Sequence, residues 1–275
     1  MQAFSVLMSV YRKEVPAYLS AALESVFRQT VLPAEVVLVE DGPLTDELYR
    51  VVDDFQRRYP TLKPVPLPRN VGLGRALNEG LRHCSCDLVA RMDTDDLSRP
   101  DRFERQLHVM ATMPEVDVCG SWINEFALSP DCPVSQRRTP ETNEEIYRFG
   151  RQRNPMNHVT VMFRRQQVLC SGGYQDYPLF EDYFLWVRML TQGCRFYSIQ
   201  QPLVDVRADV GMIARRSGLR YALTEARLQF LFYGLRYIGF GTFLHNLAVR
   251  FTARMLPRRV RAWLYRKKLR SAQPA

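Results

Sequence analysis

The amino-terminal part of the chain alternates short apolar runs with segments of helical length, and this alternation limits the possible folds more than any other feature. In chain order, the runs and the segments between them are residues 4–10, 16–28, 35–40, 44–59, 64–67, 70–83 and 87–92. Apolar runs of this length predict buried strands. Strands that alternate with helices pair in parallel through right-handed crossovers. The expected fold class is therefore α/β, with a mixed, mainly parallel sheet flanked by helices.

The pattern after residue 100 is less regular. Strands are predicted at 116–123, 159–163 and 203–206, and helices at 101–113, at 141–151 and from Phe180 onward. The catalytic domain is expected to cover residues 1–215, and residues 216–275 are expected to form a helical, basic tail.

Polar residues stand at the ends of several predicted strands. Tyr11 follows the first strand, Asp41 the second and Asn70 the third, and an acidic run at 93–96 follows the fourth. In open parallel sheets, ligands bind at the carboxyl ends of the strands. The sequence therefore predicts one binding site along this edge of the sheet.

The acidic run carries the most chemical information. Side chains two residues apart on an extended backbone share a face, so Asp93 and Asp95 are expected to converge on one small object while Asp96 points elsewhere. Carboxylates held together repel unless a hard cation or hydrogen-bond donors lie between them. A Mg²⁺ or Mn²⁺ ion that also binds a diphosphate meets this requirement. A D-x-D sequence by itself also occurs in solvated loops.

The positive charge is concentrated near the carboxyl end. The 275-residue chain has a net charge of +9, and after Glu225 it contains eleven Arg or Lys and no Asp or Glu. Subtracting these eleven from +9 leaves −2 for the preceding part. Residues 228–249 are apolar but interrupted by polar side chains, which favours an amphipathic segment in a membrane interface over a membrane-spanning helix. An anionic membrane surface and nucleic acid are the two partners that such a tail suggests.

The amino terminus and the cysteines indicate a cytoplasmic protein. Residues 1–6 have no basic region ahead of an apolar one, so no signal peptide is expected. The six cysteines form no C-x-x-C pair and no zinc-ligand spacing, which favours reduced thiols.

Six short motifs in a fixed order give the chain a family resemblance. They are Ser9-Val10-Tyr11; Gln29-Thr30-x-x-Pro33 before Glu40-Asp41-Gly42; Asn70-x-Gly72-x-x-x-Ala76-x-Asn78; Met92-Asp93-x-Asp95-Asp96; Pro100-x-Arg102-x-x-x-Gln106; and Glu181-Asp182-x-x-Leu185-Trp186-x-Arg188. Over roughly residues 3–215 the chain resembles glycosyltransferase family 2, whose members have the GT-A fold, a Rossmann-like fold, and invert the sugar linkage. Within that family it resembles bacterial O-antigen and exopolysaccharide enzymes of amylovoran type.

The resemblance implies a nucleotide-sugar site and a metal site. The nucleotide-sugar site would contain Tyr11 for base stacking, Asp41 for the base or ribose, Asp93 for the ribose, and Asn70, Gly72, Arg75 and Arg215 near the sugar and phosphates. Asp95 would bind the Mg²⁺ or Mn²⁺ ion. Many relatives place a histidine shortly after the strand that here ends at Arg207, and this chain has none. Asp209 or water is expected in its place.

The resemblance also assigns the catalytic base to Asp182. Glu181 would hold acceptor hydroxyls or cap the helix. Asn157 and His158 are assigned to the acceptor side, and a purely structural histidine is the alternative reading of His158.

The expected function is transfer of a hexose, galactose or glucose, from a UDP-sugar to a polyprenyl-diphosphate-linked saccharide. The reaction would serve O-antigen or exopolysaccharide assembly at the cytoplasmic face of a bacterial inner membrane, with the protein bound peripherally. A nucleotidyltransferase of similar topology is the alternative, but it would need a glycine-rich loop after the first strand, where the chain has Arg12 and Lys13. A nucleic-acid partner is not expected, because the predicted site edge is acidic.

Overall fold

The computed structural model describes residues 2–208 and 219–255, and in this part of the chain the strands form a single sheet. The strands are β1 Phe4–Val10, β2 Glu35–Glu40, β3 Leu62–Pro66, β4 Leu88–Arg91, β5 Leu97–Ser98, β6 Val118–Phe126, β7 Pro133–Arg137, β8 Met162–Arg164 and β9 Phe196–Arg207. Their order is β3-β2-β1-β4-β8-β6-β9-β5, with β7 paired to β6.

Helices cover both faces of the sheet. They are α1 Pro16–Phe27, α2 Asp46–Arg58, α3 Leu73–His83, α4 Arg102–Thr112, α5 Asn143–Gly150, α6 Arg165–Cys170, α7 Glu181–Thr191, α8 Leu219–Gly234 and α9 Phe240–Met255. Local signals place several of their starts. Pro16 occupies the first turn of α1, and the Thr45 side chain accepts a hydrogen bond from the Leu48 amide at the start of α2. Thr142 and Glu145 form a capping box on α5.

The amino-terminal half has the predicted parallel arrangement. Strand β1 pairs in parallel with β2 on one side and with β4 on the other, and β2 pairs in parallel with β3. All residues of β2 are buried, as expected for a strand covered by helices on both faces. Because β1, β2, β3 and β4 run in the same direction, the residues that follow them lie along one edge.

The second half departs from the predicted elements. Residues 159–163 do not form one strand: His158–Thr160 is a 3₁₀ turn and β8 begins at Met162. Strand β9 begins at Phe196, well before the predicted residue 203, because it continues past a register shift opposite Trp122. Strands β5 and β7 and helix α6 were not predicted, since none of them has an apolar run long enough to be recognised.

Helices α8 and α9 pack on the catalytic domain. Leu228, Phe232, Tyr237, Ile238 and Phe243 are buried and belong to the same core as α7 and α3. The described part of the expected tail therefore shares a core with the rest of the fold. The proposed boundary at residues 215 and 216 lies outside the described residues. Among the residues that the structure describes, no helix is long and apolar enough to cross a membrane.

Candidate active site

The loop after β3 is held in place by the carboxylate after β2. Asp41 Oδ1 accepts a hydrogen bond from the Val71 amide at 2.6 Å, and Oδ2 accepts from Asn70 Nδ2 at 2.9 Å and from the Gly72 amide at 3.1 Å. Gly72 has a φ of 88°, which favours glycine. Asp41 is 4 % exposed and therefore orders this loop, whereas the ring of Tyr11 is 43 % exposed at the end of β1. The edge thus offers an open aromatic ring beside a fixed loop.

The acidic run after β4 forms one compact cluster. Each of Asp93, Asp95 and Asp96 has a carboxylate oxygen within 4.8 Å of the others. The prediction that Asp96 points elsewhere is wrong, because the chain turns directly after β4 instead of staying extended. Asp96 Oδ1 also accepts a hydrogen bond from the Arg207 amide at 2.8 Å, which ties the cluster to the end of β9.

The electrostatics of this cluster suit a hard cation. Burial, together with the negative charges of Asp93 and Glu14, raises the pKa of Asp95 to about 7. Burial and the charges of Asp93 and Asp95 raise the pKa of Asp96 well above its usual range. A divalent cation stabilises the charged form of carboxyl groups that are crowded together and otherwise resist ionisation. Oxygen is also the ligand atom that Mg²⁺ and Mn²⁺ prefer. The residues present therefore fit the predicted metal ion.

A buried arginine below the acidic cluster was not predicted as part of the site. Arg91 is 1 % exposed, and its guanidinium forms an ion pair with Asp93. Its Nε and Nη1 atoms have no hydrogen-bond partner among the described residues. The sequence contained a clue to this role, because Arg91 is a charged residue inside an otherwise apolar strand. A buried charge requires a partner, which here is Asp93. Arg91 fixes the orientation of Asp93.

The two predicted catalytic carboxylates lie at the amino terminus of α7. Asp182 Oδ2 accepts a hydrogen bond from Asn154 Nδ2 at 2.6 Å, and Oδ1 accepts from the Tyr183 amide at 2.7 Å. Burial raises the pKa of Glu181 to about 7, and the charge of Asp182 contributes to the rise. A Cβ atom at Gly74 would lie 3.1 Å from Glu181 Cγ, so the start of α3 closely approaches the start of α7. This approach places the carboxylates beside the loop that Asp41 orders.

The residues predicted for the acceptor side have different environments. Asn157 is 2 % exposed and donates from Nδ2 to the Ser121 carbonyl at 2.8 Å, so its assignment to the acceptor is corrected: the side chain holds β6. His158 Nε2 lies 2.9 Å from the Tyr174 hydroxyl. Burial and the nearby charge of Arg91 lower the pKa of His158 well below its usual range. His158 is thus a neutral, partnered imidazole in the site wall.

Three further predicted residues can be placed only in part. Arg75 lies on α3 with its side chain 61 % exposed and forms an ion pair with Asp176 at 2.6 Å. Asp209 and Arg215 lie outside the described residues, so their roles stay predictions.

Comparison with known proteins identifies the family. The model for glycosyl transferase family 2 matches residues 5–171. The chain belongs to this family. It is 40% identical over 267 residues to an Escherichia coli UDP-Gal:alpha-D-GlcNAc-diphosphoundecaprenol beta-1,3-galactosyltransferase, covering 97% of this chain and 96% of that protein. It is 39% identical over 264 residues to the amylovoran biosynthesis glycosyltransferase AmsE of Erwinia amylovora, covering 96% of this chain and 98% of that protein.

Solved structures support the same fold. Staphylococcus aureus TarS 1-349 in complex with UDP-GlcNAc matches 98% of this chain and 76% of that one, with a TM-score of 0.69 and 17% identity. The Pyrobaculum calidifontis mannosyltransferase PcManGT in complex with GDP-Man and Mn2+ matches 96% of this chain and 81% of that one, with a TM-score of 0.63 and 19% identity. The predicted family, GT-A fold and glycosyltransferase activity are confirmed.

Proposed function

We propose that this glycosyltransferase moves a hexose, with galactose as the first candidate, from a UDP-sugar to a saccharide linked through diphosphate to a polyprenol. One observation carries the proposal. The acidic cluster at 93–96 and the carboxylates of Glu181 and Asp182 both lie near the buried Tyr174, on which the charges of Asp93, Glu181 and Asp182 all act, so a site for a nucleotide diphosphate adjoins a candidate base. The names of the Escherichia coli and Erwinia amylovora relatives supply the acceptor class and the exopolysaccharide context.

The geometry supports a single displacement in which Asp182 acts as the base. Its Oδ2 atom is held by Asn154 and its Oδ1 atom by the Tyr183 amide, so the carboxylate has a fixed orientation. In this orientation it removes the proton from the acceptor hydroxyl as that oxygen attacks the anomeric carbon. Glu181, whose pKa lies near 7, can hold an acceptor hydroxyl either as donor or as acceptor.

Asp95 is the proposed protein ligand of a divalent ion, with Asp93 and Asp96 adjacent to it. A bound Mg²⁺ or Mn²⁺ would supply positive charge that stabilises the departing nucleoside diphosphate. Arg91 pairs with one oxygen of Asp93, whose side chain is 37 % exposed, and this partly open carboxylate is the proposed acceptor of hydrogen bonds from the ribose. Tyr11 provides the exposed ring for the base.

The acceptor's lipid requires the enzyme to work at a membrane surface, and the carboxyl-terminal helices have the matching character. Phe230 and Phe240 are each 60 % exposed, and Leu244 and Val249 are also exposed. Seven Arg or Lys follow residue 255 with no acidic residue among them. Exposed aromatic side chains beside cations favour binding to an anionic bilayer. The cytoplasmic face of a bacterial inner membrane is the proposed location.

A donor screen tests the proposal. The purified enzyme would be incubated with each nucleotide sugar and with GlcNAc-α-diphosphate carrying an undecyl ester, and products would be detected by mass spectrometry. We expect transfer from UDP-galactose. NMR of the product should show a β linkage, since single displacement inverts the α-linked donor. An α linkage would contradict the mechanism, and no transfer from any UDP-sugar would contradict the proposed function.

A further inference from the structure

We infer that the loop of residues 150–154 and the adjoining cavity between α8 and α9 form the binding site for the lipid diphosphate of the acceptor. In this inference, which rests on the proposed function, Arg153 and Arg250 bind the diphosphate and the cavity receives the first part of the polyprenyl chain. The residues in this region are not among the family motifs that led to the active site.

The loop of residues 150–154 is attached to the catalytic helix at both ends. At its far end, Asn154 Nδ2 donates to Asp182 Oδ2 at 2.6 Å. At its near end, the Gly150 carbonyl accepts a hydrogen bond from the Tyr183 hydroxyl at 2.6 Å. Two consecutive residues of α7, the proposed base and its neighbour, therefore determine where this loop lies. A ligand bound on the loop therefore lies near the proposed base.

The same loop carries unpaired positive charge. Arg151 stacks on Tyr147 and Arg153 on Phe149, at 5.2 and 5.0 Å from guanidinium carbon to ring centroid. Among the described residues, no ion pair with a carboxylate is formed by Arg151 or Arg153. Burial and the positive charge of Arg250 lower the pKa of Arg153. Arg153, which has no carboxylate partner among the described residues and lies near the Arg250 guanidinium, is therefore a favourable place for a phosphate group.

Arg250 connects the loop to the carboxyl-terminal helices. Its guanidinium donates to the Gln152 carbonyl and forms an ion pair with Glu225, whose side chain is 3 % exposed. Asn246 Nδ2 also donates to the Arg151 carbonyl, at 2.8 Å. These contacts hold α8 and α9 against the loop of residues 150–154. A ligand that binds Arg250 at this loop therefore lies next to the interface between the two helices.

That interface contains an apolar cavity of about 350 Å³. Its lining residues are Ala222, Glu225, Ala226, Gln229, Leu247, Ala248 and Arg250. The side chain of Gln229 is 0 % exposed, and its Nε2 atom has no hydrogen-bond partner among the described residues. A cavity with apolar walls and Arg250 at its border matches a ligand whose charged diphosphate is followed directly by a hydrocarbon chain. The exposed Phe230 and Phe240 lie on the same two helices and would continue the apolar contact into the bilayer.

The test compares two synthetic acceptors with one saccharide. One is GlcNAc-α-diphosphate carrying an undecyl ester, and the other is undecyl α-GlcNAc, which lacks the diphosphate. With UDP-galactose as donor, the wild-type enzyme is expected to prefer the diphosphate compound in kcat/KM. In Arg153→Gln this preference should fall by about 10-fold or more, since a charge-assisted contact is lost, and the change should be in KM rather than in kcat. Arg153→Lys should restore part of it.

Arg57→Gln provides the matched control. Arg57 is a surface arginine on α2 with its side chain 77 % exposed, and its removal should leave the preference unchanged. If Arg153→Gln keeps the wild-type preference, or loses activity equally on both acceptors, the inference is overturned while the proposed function stands. If the wild-type enzyme shows no preference for the diphosphate compound, the inference is overturned, and if it transfers galactose to neither compound, the proposed function is overturned as well. Thermal unfolding of each variant verifies that the proteins compared are folded.

Discussion

At the scale of single residues, the two neighbouring carboxylates of the site have different environments. Hydrogen bonds orient one of them, whereas burial raises the pKa of the other. Asp182 accepts hydrogen bonds from Asn154 and from the Tyr183 amide. Burial instead raises the pKa of Glu181 to about 7. Hydrogen bonds to a carboxylate favour its charged form and burial favours the neutral form. The two neighbours are thereby suited to different roles, with Asp182 as base and Glu181 as a hydroxyl ligand.

The role of Asp182 predicts a specific kinetic defect. Asp182→Asn keeps the shape and the start of α7 but removes the basic oxygen, so kcat should fall about 100-fold or more. The dissociation constant for UDP, measured by calorimetry, should stay near the wild-type value. The comparison variant is Asn154→Ala, which leaves the base present but less well oriented and should reduce kcat by a smaller factor. Full turnover by Asp182→Asn would transfer the role to another group, such as Glu181.

The raised pKa of Glu181 predicts a pH-dependent stability effect. The pKa rises from its ordinary value of 4.5 to about 7 in the folded protein. Between these values the folded state binds more protons than the unfolded state, so the stability contributed by Glu181 falls as pH increases through this window. Glu181→Gln removes the effect. Its Tm minus that of the wild type should therefore be more positive at pH 8 than at pH 5.

A second carboxylate in a first helical turn gives the baseline for that experiment. Glu144→Gln removes an acidic residue from the first turn of α5, where the side chain is exposed. Its Tm difference measures the loss of one charge at a helix amino terminus. If Glu181→Gln follows the same pH profile as Glu144→Gln, burial does not control the protonation of Glu181.

At the scale of elements, α3 and the segment before α7 are joined by one asparagine. Asn78 Nδ2 donates to the Tyr174 carbonyl at 2.6 Å, and its Oδ1 atom accepts from the Tyr174 amide at 2.8 Å. Arg188 on α7 donates to the Gly173 carbonyl at 2.6 Å and also to the Ser171 carbonyl. Two family motifs thus hold the same short segment, which presents Tyr174 to His158.

Removal of this asparagine should cost stability. Asn78→Ala leaves the amide and the carbonyl of Tyr174 without their partner, and each unsatisfied group costs about 1–3 kcal/mol. Urea unfolding should show a lower midpoint than for Glu79→Ala, the control at the neighbouring position of α3, whose side chain forms only a surface ion pair with Arg82 and His83. Asn78→Asp keeps one of the two hydrogen bonds and should lie between them. Equal midpoints for Asn78→Ala and Glu79→Ala would show that the segment is held without Asn78.

At the scale of the whole molecule, the carboxyl-terminal helices have a buried face and an exposed one. Leu228, Phe232 and Tyr237 are buried against the catalytic domain, whereas Phe230 and Phe240 are exposed. Arg250, one of the eleven cations that follow Glu225 in the sequence, pairs with Glu225 inside the fold. The helices therefore complete the core and also offer an apolar surface to the outside.

This division predicts different results for two truncations. Removal of residues 226–275 takes away core side chains and should give an unfolded or insoluble protein. Removal of residues 256–275 keeps every core side chain that the structure describes but deletes seven cations, each worth about 1 kcal/mol near an anionic surface. The shorter truncation should fold normally and bind anionic vesicles more weakly in a sedimentation assay. Added salt should weaken vesicle binding by the full-length protein, because the attraction is screened over about 10 Å at 0.1 M.

Two outcomes would contradict this division. Undiminished vesicle binding after removal of residues 256–275 would show that these cations do not contribute. A folded, active protein lacking residues 226–275 would show that α8 and most of its contacts are dispensable for the core. The double variant Phe230→Ser and Phe240→Ser separates the apolar contribution, since both side chains are exposed, and its Tm controls for the ring contacts that both make with the buried Phe243.

The sequence by itself determined the strands of the parallel half and the motifs that follow them. Local patterns are sufficient there, because a buried strand must be apolar throughout and its loop must carry the polar residues. The tertiary structure decided which distant side chains meet. It placed Arg91 under Asp93, Asn154 on Asp182 and Asn157 against β6, and it packed α8 and α9 into the core. Such contacts depend on the order in which strands and helices pack, and no local pattern of residues encodes that order.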